Sequence, residues 1–595
     1  LFTAYALGFM RRILLLKSVF YHSVIFLSFE IKIDLTNYSL YNLPMEIKFM
    51  TPTEVWESFN PVKEPLETYV EKCQLKNDCL ETEMFFTAET VADGKVRAYC
   101  KMIHDQHLNE KRPAVLFLAN LSENTAFDEI EKLFVKNGYV VFILDYAGFV
   151  TSRETRTSFP ESLKFASYEN AKNNLGYMGE SARVTPWFVW SKIARRAITL
   201  IGEQTLVDNE KINLVGYVHG AQLAWIVAGI DGRVHAAMPV MGCGYNNYGK
   251  KDTSLSESEE ERAWVSGICP ETYAHFISCP IAYATSTNND FACIDKANEI
   301  MAGISSSSKI LCISPRTNKQ LSKDCFLGLL KWANSAFKSD AEKLPLPTIA
   351  FNVDGDKLTL TVDTNSDCDC IETFISYDNA PAPIRDWFSL VESKTDGFKH
   401  VYDVVPFDNN EKLSAFANVT FNGVVVSTLI TSISRDKFDG VKQAPAVIES
   451  NRIVYTNKKG IASFAPRTFS VIVDEDDLKL KKGPFGIKGV SVDSGYLTTN
   501  NLMKSDFAKD KASILKIDFY SPSQRDIRIQ LTSIYTGASY VAKCSLKGGE
   551  RWQKVLLTPS DFKSDDGKPL GLFADTQITV FKNVAGVILN NIIWI

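Results

Sequence analysis

Short apolar runs alternate with stretches of helical spacing over the first half of the chain. Apolar residues that recur every three or four positions predict helices over 129–138, 187–204 and 326–337. Fully apolar runs predict buried strands at 113–120, 139–148, 236–244, 279–290 and 309–315. Residues 212–229 predict a strand, a tight turn and a helix. Strands that alternate with helices indicate an α/β fold with a parallel sheet covered on both faces.

The pattern changes at residues 343–348. From 349 to about 435 apolar and polar residues alternate and Asp, Asn and Gly mark turns, which predicts a β-sandwich. Residues 446–595 have the same strand-rich pattern. We therefore predict an amino-terminal extension at 1–44, an α/β domain at 45–342, an immunoglobulin- or fibronectin-like sandwich at 343–445 and a second β-sandwich at 446–595.

Composition excludes several classes of protein. The 595 residues are 45% apolar and 23% charged, an ordinary globular mixture that excludes a disordered chain or a polytopic membrane protein. The net charge of −5 provides no electrostatic surface for nucleic acid, so no nucleic-acid partner is expected. The twelve cysteines form no paired C-x-x-C motifs. We expect no metal site and no cofactor, and mostly reduced thiols.

The amino end contains an apolar run at 13–29, which follows Arg11 and Arg12 as in a signal peptide. The run is short for a membrane span and no small-x-small cleavage site follows it. It is a signal anchor, a buried element, or sequence upstream of a true start at Met45, and we favour the last. Met45 as the start predicts a cytoplasmic protein, whereas a signal at residues 10–30 predicts a secreted or membrane-anchored one.

One segment has the layout of a nucleophile elbow, the sharp strand-to-helix turn on which many hydrolases carry serine as G-x-S-x-G. Gly216 and Gly220 hold the two glycine positions, but Val218 stands where serine is required. Valine has no lone pair with which to attack a carbonyl carbon. No other G-x-S-x-G occurs in the chain.

The other parts of a Ser-acid-His triad are also incomplete. Asp290, after the strand predicted at 279–290, stands where this arrangement places its acid. The only histidine after it is His400, in the region predicted to be all-β. The strand at 113–120 continues into residues 119–124, which contain no glycine and therefore no H-G-G oxyanion loop. Three departures together predict that hydrolysis has been lost.

From about Met45 to residue 435 the chain resembles the acetyl-xylan esterase and dienelactone hydrolase-like α/β-hydrolases. The resemblance rests on TPTEVWESFNP, the strand pair PAVLFLA and NGYVVFILDYAG, DGRVHAAMPVMGCGYNNY, CPIAYATSTNNDF, the SPRTN turn and AFANVTFNGVVVST. It implies an α/β-hydrolase domain. Active members hydrolyse carboxylic esters, often acetyl groups on sugars.

The resemblance also implies a role for particular positions. Val218 replaces the serine, Asp290 keeps the acid position, and Lys319 stands in the turn that should carry the histidine. His219, one residue past the elbow, occupies the position whose backbone N–H faces an oxyanion. The predicted ligand-binding residues near this site are Cys243, Tyr217, Asn120 and Arg316.

Alternatives to the catalytic roles remain. A buried turn residue at Val218 in a pseudoenzyme is the favoured interpretation, and His219 or Cys243 as a replacement nucleophile is the alternative. Asp290 without a histidine is expected to serve as a turn or helix cap. The predicted function is therefore a catalytically degenerate, esterase-like homologue that binds a small ester or a carbohydrate. An active carboxylic-ester hydrolase with non-standard residues is the alternative.

The region from about 465 to 595 is similar to jelly-roll, carbohydrate-binding or galactose-binding-like modules. The similarity rests on ERWQKVLLTPSDFKSDDGKPL and ITVFKNVAGVILNNIIWI. It implies a sugar-binding surface on which a sugar ring would stack against Trp552, Tyr535 or Tyr540. Trp552 is, however, expected in the core. Carbohydrate is therefore an expected partner, and the sequence leaves the oligomeric state open.

Overall fold

A nine-stranded mixed sheet forms the centre of the α/β part of the chain. The structure, a computed structural model, describes residues 47–595 apart from 122–127, 150–155, 173, 244–257, 340–342, 379, 446–451, 462, 468–470, 501, 503–507, 509–511, 535–536 and 574–576. The strands are β1 Tyr69–Lys76, β2 Cys79–Val91, β3 Gly94–Asp105, β4 Arg112–Leu118, β5 Val140–Asp145, β6 Val207–Tyr217, β7 Val234–Val240, β8 Ile281–Ser286 and β9 Lys309–Ser314. A short strand, β10 Leu321–Ser322, follows them outside this sheet.

The strand order is β1-β2-β3-β5-β4-β6-β7-β8-β9. Strands β1 to β3 pair antiparallel, whereas β4 to β9 are joined by parallel pairs. Every residue of β5 is buried, as expected for a parallel strand with helices on both faces. The α-helices in the described residues are Pro52–Trp56, Asp128–Lys136, Tyr168–Ala171, Pro186–Gly202, His219–Ile230, Glu259–Gly267, Pro270–Tyr273, Ala297–Gly303, Lys323–Ala336 and Arg435–Phe438.

Two antiparallel sheets follow the α/β part. One has the order β11-β12-β16-β15, and the other has the order β14-β13-β17-β18 with β19 beside β17. Their apolar side chains share a core with one face of the large sheet. The strands are β11 Thr348–Asp354, β12 Lys357–Asp363, β13 Cys370–Ser376, β14 Phe388–Ser389, β15 Lys394–Asp396, β16 Lys399–Val404, β17 Lys412–Phe421, β18 Val424–Ser427 and β19 Thr431–Ser434.

The last part of the chain contains two further antiparallel sheets around a separate apolar core. Their orders are β23-β24-β31-β26-β29, with β20 beside β31, and β21-β25-β30-β27-β28. The strands are β20 Ile453–Tyr455, β21 Phe464–Pro466, β22 Ile472–Val473, β23 Lys479–Lys482, β24 Lys488–Ser491, β25 Tyr496–Thr499, β26 Leu515–Tyr520, β27 Arg525–Ser533, β28 Ser539–Leu546, β29 Gln553–Leu557, β30 Gln577–Lys582 and β31 Ile588–Trp594.

The β-rich parts make specific contacts with the α/β part. Ile313 in β9 makes two such contacts. Its carbonyl oxygen accepts from the Asn418 side chain at 2.9 Å, and the N–H of Ile313 donates to Ser427 Oγ at 2.8 Å. Farther along, β10 pairs in parallel with β22, and the Leu321 N–H donates to the carbonyl oxygen of Val471 at 2.7 Å. The first β-rich part therefore contacts β9 itself, and the last part contacts β10, which follows it.

The architecture confirms the predicted fold class, an α/β domain followed by antiparallel β-sheets. The proposed boundaries after residues 342 and 445 adjoin segments outside the described ranges. The predicted start at Met45 and the extension at 1–44 lie entirely outside the described residues. All twelve cysteines are free thiols. Among the helices that the structure describes, none is long and apolar enough to cross a membrane.

Candidate functional site

The turn between β6 and the helix His219–Ile230 has the strained geometry of a nucleophile elbow. Val218 has φ 51° and ψ −104°, a conformation that a β-branched residue rarely adopts. Its N–H donates to the Val240 carbonyl oxygen at 2.9 Å, which fixes the turn against β7. The turn therefore has the strained backbone of a nucleophile elbow, although the residue at its apex is valine.

Close backbone contacts require the two glycines of this turn. A Cβ on Gly216 would lie 2.2 Å from the carbonyl oxygen of Gly220, and one on Gly220 would lie 1.8 Å from the carbonyl oxygen of Leu118. Both distances are far below van der Waals contact with backbone atoms that cannot rotate away. The glycine spacing noted in the sequence thus reflects packing of the helix start against β4 and β6.

The Val218 side chain is buried, with 4% of its surface exposed. It belongs to an apolar cluster that includes Tyr217, Val240, Met241 and Phe291. An isopropyl group supplies neither a nucleophilic atom nor a hydrogen-bond donor. Position 218, where a nucleophile elbow carries serine, therefore supplies no nucleophilic atom.

His219 lies beside the elbow as a neutral imidazole. Its Nδ1 is 2.5 Å from Oδ1 of the buried Asn120, and because an amide oxygen only accepts, Nδ1 carries the proton. The ring packs between Phe291, with centroids 4.6 Å apart, and Trp187 at 6.3 Å. Burial, and then the positive charge of Lys319, lowers the pKa of His219 to about 3. An imidazole of such low basicity is a weak nucleophile and a weak base.

The turn after β8 positions the acid. Asn289 Oδ1 accepts from the N–H groups of Phe291 and Ala292, and its Nδ2 donates to the carbonyl oxygen of Met241 at 3.1 Å. Asp290 lies within this Asx turn, and its carboxylate remains one-quarter exposed. The sequence analysis identified Asp290 but missed Asn289. The available signal was an asparagine directly before the acid, just after the end of a strand.

The turn after β9 is held against the end of β8 by two hydroxyl groups. Thr287 Oγ1 accepts from the Arg316 N–H at 2.6 Å, and Ser286 Oγ accepts from the Lys319 N–H at 3.2 Å. Arg316 and Lys319 both have φ 55°, so this turn contains two left-handed, non-glycine residues. The carbonyl oxygen of Lys319 also accepts from the Tyr217 hydroxyl at 2.6 Å. The sequence analysis did not identify Ser286 or Thr287.

These contacts bring Lys319, which stands where the resemblance places a histidine, next to Asp290. Lys319 Nζ lies 2.8 Å from Asp290 Oδ1, and both side chains are about one-quarter to one-third exposed. A protonated ammonium in contact with a carboxylate donates hydrogen bonds and has no lone pair with which to accept a proton. The acid therefore serves as the partner of a fixed positive charge, where a triad would need it to orient an imidazole.

Two other predicted residues lie apart from this pair. Cys243 is fully buried and its Sγ lies 2.9 Å from the Tyr283 hydroxyl, and burial raises the pKa of its thiol well above the ordinary value. A buried thiol with a raised pKa is a poor nucleophile. The Arg316 guanidinium instead lies 5.8 Å from the ring centre of Phe374 in β13. The structure thus brings Tyr217, Val218, His219, Asn120, Asp290 and Lys319 together.

The segment expected to supply an oxyanion N–H is described only at its beginning. The carbonyl oxygen of Ala119 accepts from the Tyr146 hydroxyl at 2.6 Å, and the side-chain oxygen of Asn120 is hydrogen-bonded to His219. Residues 122–124 of the predicted loop lie outside the described residues. Within the part of the chain that the structure covers, no three His, Cys, Asp or Glu side chains are placed to hold a metal ion.

Aromatic residues proposed as sugar-stacking positions lie in the last β-rich part. Trp552 Nε1 donates to the carbonyl oxygen of Pro484 at 3.2 Å, and its ring packs 6.1 Å from that of Tyr520. Tyr540 is partly buried against the local apolar core. Tyr535 lies outside the described residues. Trp552 is therefore partly covered by the chain around Pro484.

The sheet order, the elbow and the acid turn together define an α/β-hydrolase fold. Residues 97–309 match the model of the dienelactone hydrolase family. No curated protein matches the chain.

Solved structures similar to this chain include several esterases. Acetyl xylan esterase 1 from Thermoanaerobacterium sp. JW/SL YS485 is 13% identical over 46% of this chain and 87% of its own, with a TM-score of 0.34. An acetyl xylan esterase from Paenibacillus sp. R4 is 13% identical over 46% and 92%, with a TM-score of 0.37. The glucuronoyl esterase from Solibacter usitatus is 11% identical over 46% and 84%, with a TM-score of 0.33.

Proposed function

We propose that the dienelactone hydrolase domain of this chain binds a small ester or carbohydrate ligand without hydrolysing it. The observation that carries the proposal is the replacement of both reacting groups within a preserved frame. Val218 occupies the strained elbow, and Lys319 Nζ contacts Asp290 at 2.8 Å in place of a histidine. A serine hydrolase needs a hydroxyl to attack and an imidazole to take its proton, and neither is present at these positions.

The charge arrangement supports ligand binding at the same place. Lys319 and Asp290 each keep part of their surface exposed, so polar groups of a ligand can reach both an ammonium and a carboxylate. His219 presents a neutral ring whose Nδ1 is already bonded to Asn120, which leaves Nε2 as an acceptor. An ester carbonyl or a sugar hydroxyl would find donors and an acceptor within this group of side chains.

The proposal is tested by ester hydrolysis with the purified chain and a Val218→Ser/Lys319→His variant. We expect no turnover of nitrophenyl or sugar acetates by the parent and measurable turnover by the double variant, because the variant restores a nucleophile and a base beside Asp290. The matched control adds Asp290→Asn to the double variant and should remove most of the gain.

The opposite result would favour an active hydrolase with non-standard residues. Turnover by the parent that disappears in His219→Asn or Cys243→Ala would establish that alternative. Binding is measured separately by a screen of acetylated and unmodified sugars for a rise in the thermal unfolding midpoint. A Lys319→Gln variant should lose any rise that depends on the ammonium.

A further inference from the structure

The turn between β23 and β24 presents a large apolar side chain to solvent. Phe485 is 89% exposed, and Ile487 beside it is 41% exposed. We call residues 482–488 the hairpin tip. Lone surface apolar residues are common, but an aromatic ring with almost its whole surface in water is unfavourable unless something covers it.

The backbone of Phe485 is also unfavourable for its side chain. With φ 60° and ψ 20° it lies in the left-handed region, where glycine is strongly preferred over a bulky aromatic residue. Gly486, the next residue, has φ 73°. Neither local backbone preference nor burial accounts for phenylalanine at this position.

The hairpin tip is built so that Phe485 points away from the body of the chain. The Gly483 N–H donates to the carbonyl oxygen of Ile487 at 2.8 Å, and Trp552 Nε1 donates to the carbonyl oxygen of Pro484 at 3.2 Å. The Trp552 ring fills the space above Gly483, where a Cβ would lie 2.8 Å from its Cζ2. The indole therefore covers Gly483, whereas the Phe485 ring remains exposed.

Positive charge flanks the exposed ring on both sides. Lys482 and Lys488 are exposed, and no carboxylate in the described part of the chain pairs with either of them. Lys479 and Lys481, earlier in β23, are instead held by Asp493 at 3.1 and 2.6 Å. The hairpin tip itself contains no acidic or amide side chain.

We propose that the hairpin tip docks on the surface of an anionic lipid bilayer. Phe485 and Ile487 enter the boundary between headgroups and acyl chains, while Lys482 and Lys488 lie against anionic headgroups. A sugar would need side-chain acceptors for its hydroxyl groups, which the hairpin tip lacks. A protein partner would need a broad surface of roughly 800 Å², whereas the tip is seven residues of a narrow, convex turn.

The experiment is co-sedimentation of the full chain with vesicles of phosphatidylcholine alone or with about one-third phosphatidylserine. The parent should bind the anionic vesicles, and added salt should weaken binding. Phe485→Gly should lower the partition coefficient by about tenfold to a hundredfold. It should not lower the thermal unfolding midpoint, because glycine accepts this backbone conformation. Lys482→Gln/Lys488→Gln should weaken binding to anionic vesicles by about thirtyfold at low salt.

Val391→Ser is the matched control, since Val391 is 86% exposed but lies in the preceding β-rich part. It should bind as the parent does. Ile487→Ser provides a second variant that leaves the backbone of Phe485 untouched and should weaken binding about tenfold. Parent protein that ignores anionic vesicles, or binds only an acidic polysaccharide, overturns the proposal. So does vesicle binding that Phe485→Gly leaves unchanged, because residues outside the hairpin tip would then be responsible.

Discussion

His219 makes the stability of the chain depend on pH in a direction that can be calculated. The lowered pKa of about 3 in the folded state compares with an ordinary value of 6.5. Between these two values the unfolded chain binds the proton and the folded chain does not, so stability falls as pH falls through this range. A pH of 5 is about 1.5 units below the pKa of this imidazole in the unfolded chain. Protonation of the unfolded chain therefore lowers the free energy of unfolding by about 2 kcal/mol.

The perturbation is His219→Asn, which keeps a side-chain N–H near the position of Nδ1 and removes the titrating group. The free energy of unfolding is measured at about pH 8 and pH 5 by urea titration. Tryptophan fluorescence reports mainly on the α/β part, because six of the nine tryptophans precede residue 340. We expect the variant to lose about 2 kcal/mol less than the parent between the two pH values.

The control is His107→Gln, which changes an exposed histidine just after β3, and β3 is three strands from β6 in the sheet order. It should keep the pH dependence of the parent. A difference between His219→Asn and the parent below about 0.5 kcal/mol would refute the reasoning, because His219 would then titrate alike in the folded and unfolded chains.

Three further outcomes follow from the packing. Gly220→Ala should cost about 3 kcal/mol or more in urea titrations, because its Cβ would meet a backbone oxygen at 1.8 Å, whereas Gly202→Ala meets nothing within 4 Å and should change stability by less than about 1 kcal/mol. Asp231→Ala should cost about 3–5 kcal/mol in the same assay, because it leaves a buried arginine without its carboxylate. In the folded protein iodoacetamide should alkylate the exposed Cys370 and spare the buried Cys243, as peptide mass spectrometry will show, and equal labelling of both would contradict the structure.

Elements with a strong apolar pattern were predictable from the sequence. The run at 139–148 became β5, and the helix predicted over 187–204 is Pro186–Gly202, where Thr185 caps the first turn. β1 was not predicted, because most of its residues are exposed and its apolar residues do not alternate regularly. Burial produces the periodicity that a sequence reveals, so an exposed edge strand leaves little of it.

The candidate site was predictable in its positions but not in its contacts. The resemblance to α/β-hydrolases indicated Asp290 and Lys319, whereas their ion pair depends on the hydroxyl groups of Ser286 and Thr287 and on two left-handed residues. Such backbone conformations are rare for lysine and arginine, and no local sequence pattern predicts them. The environment of His219 likewise arises from aromatic residues that are distant along the chain.

The parallel pair between β10 and β22 also has a consequence for the order of events during synthesis. Residues 472–473 leave the ribosome 151 residues after 321–322, which at ordinary rates of translation is a delay of about 8–30 s. Throughout that interval the segment that follows Lys319 has no strand partner, although every strand of the nine-stranded sheet has already been made. A nascent chain paused or cut short before residue 472 would therefore leave Leu321–Ser322, directly after the Lys319 turn, without a strand partner and accessible to chaperones and proteases.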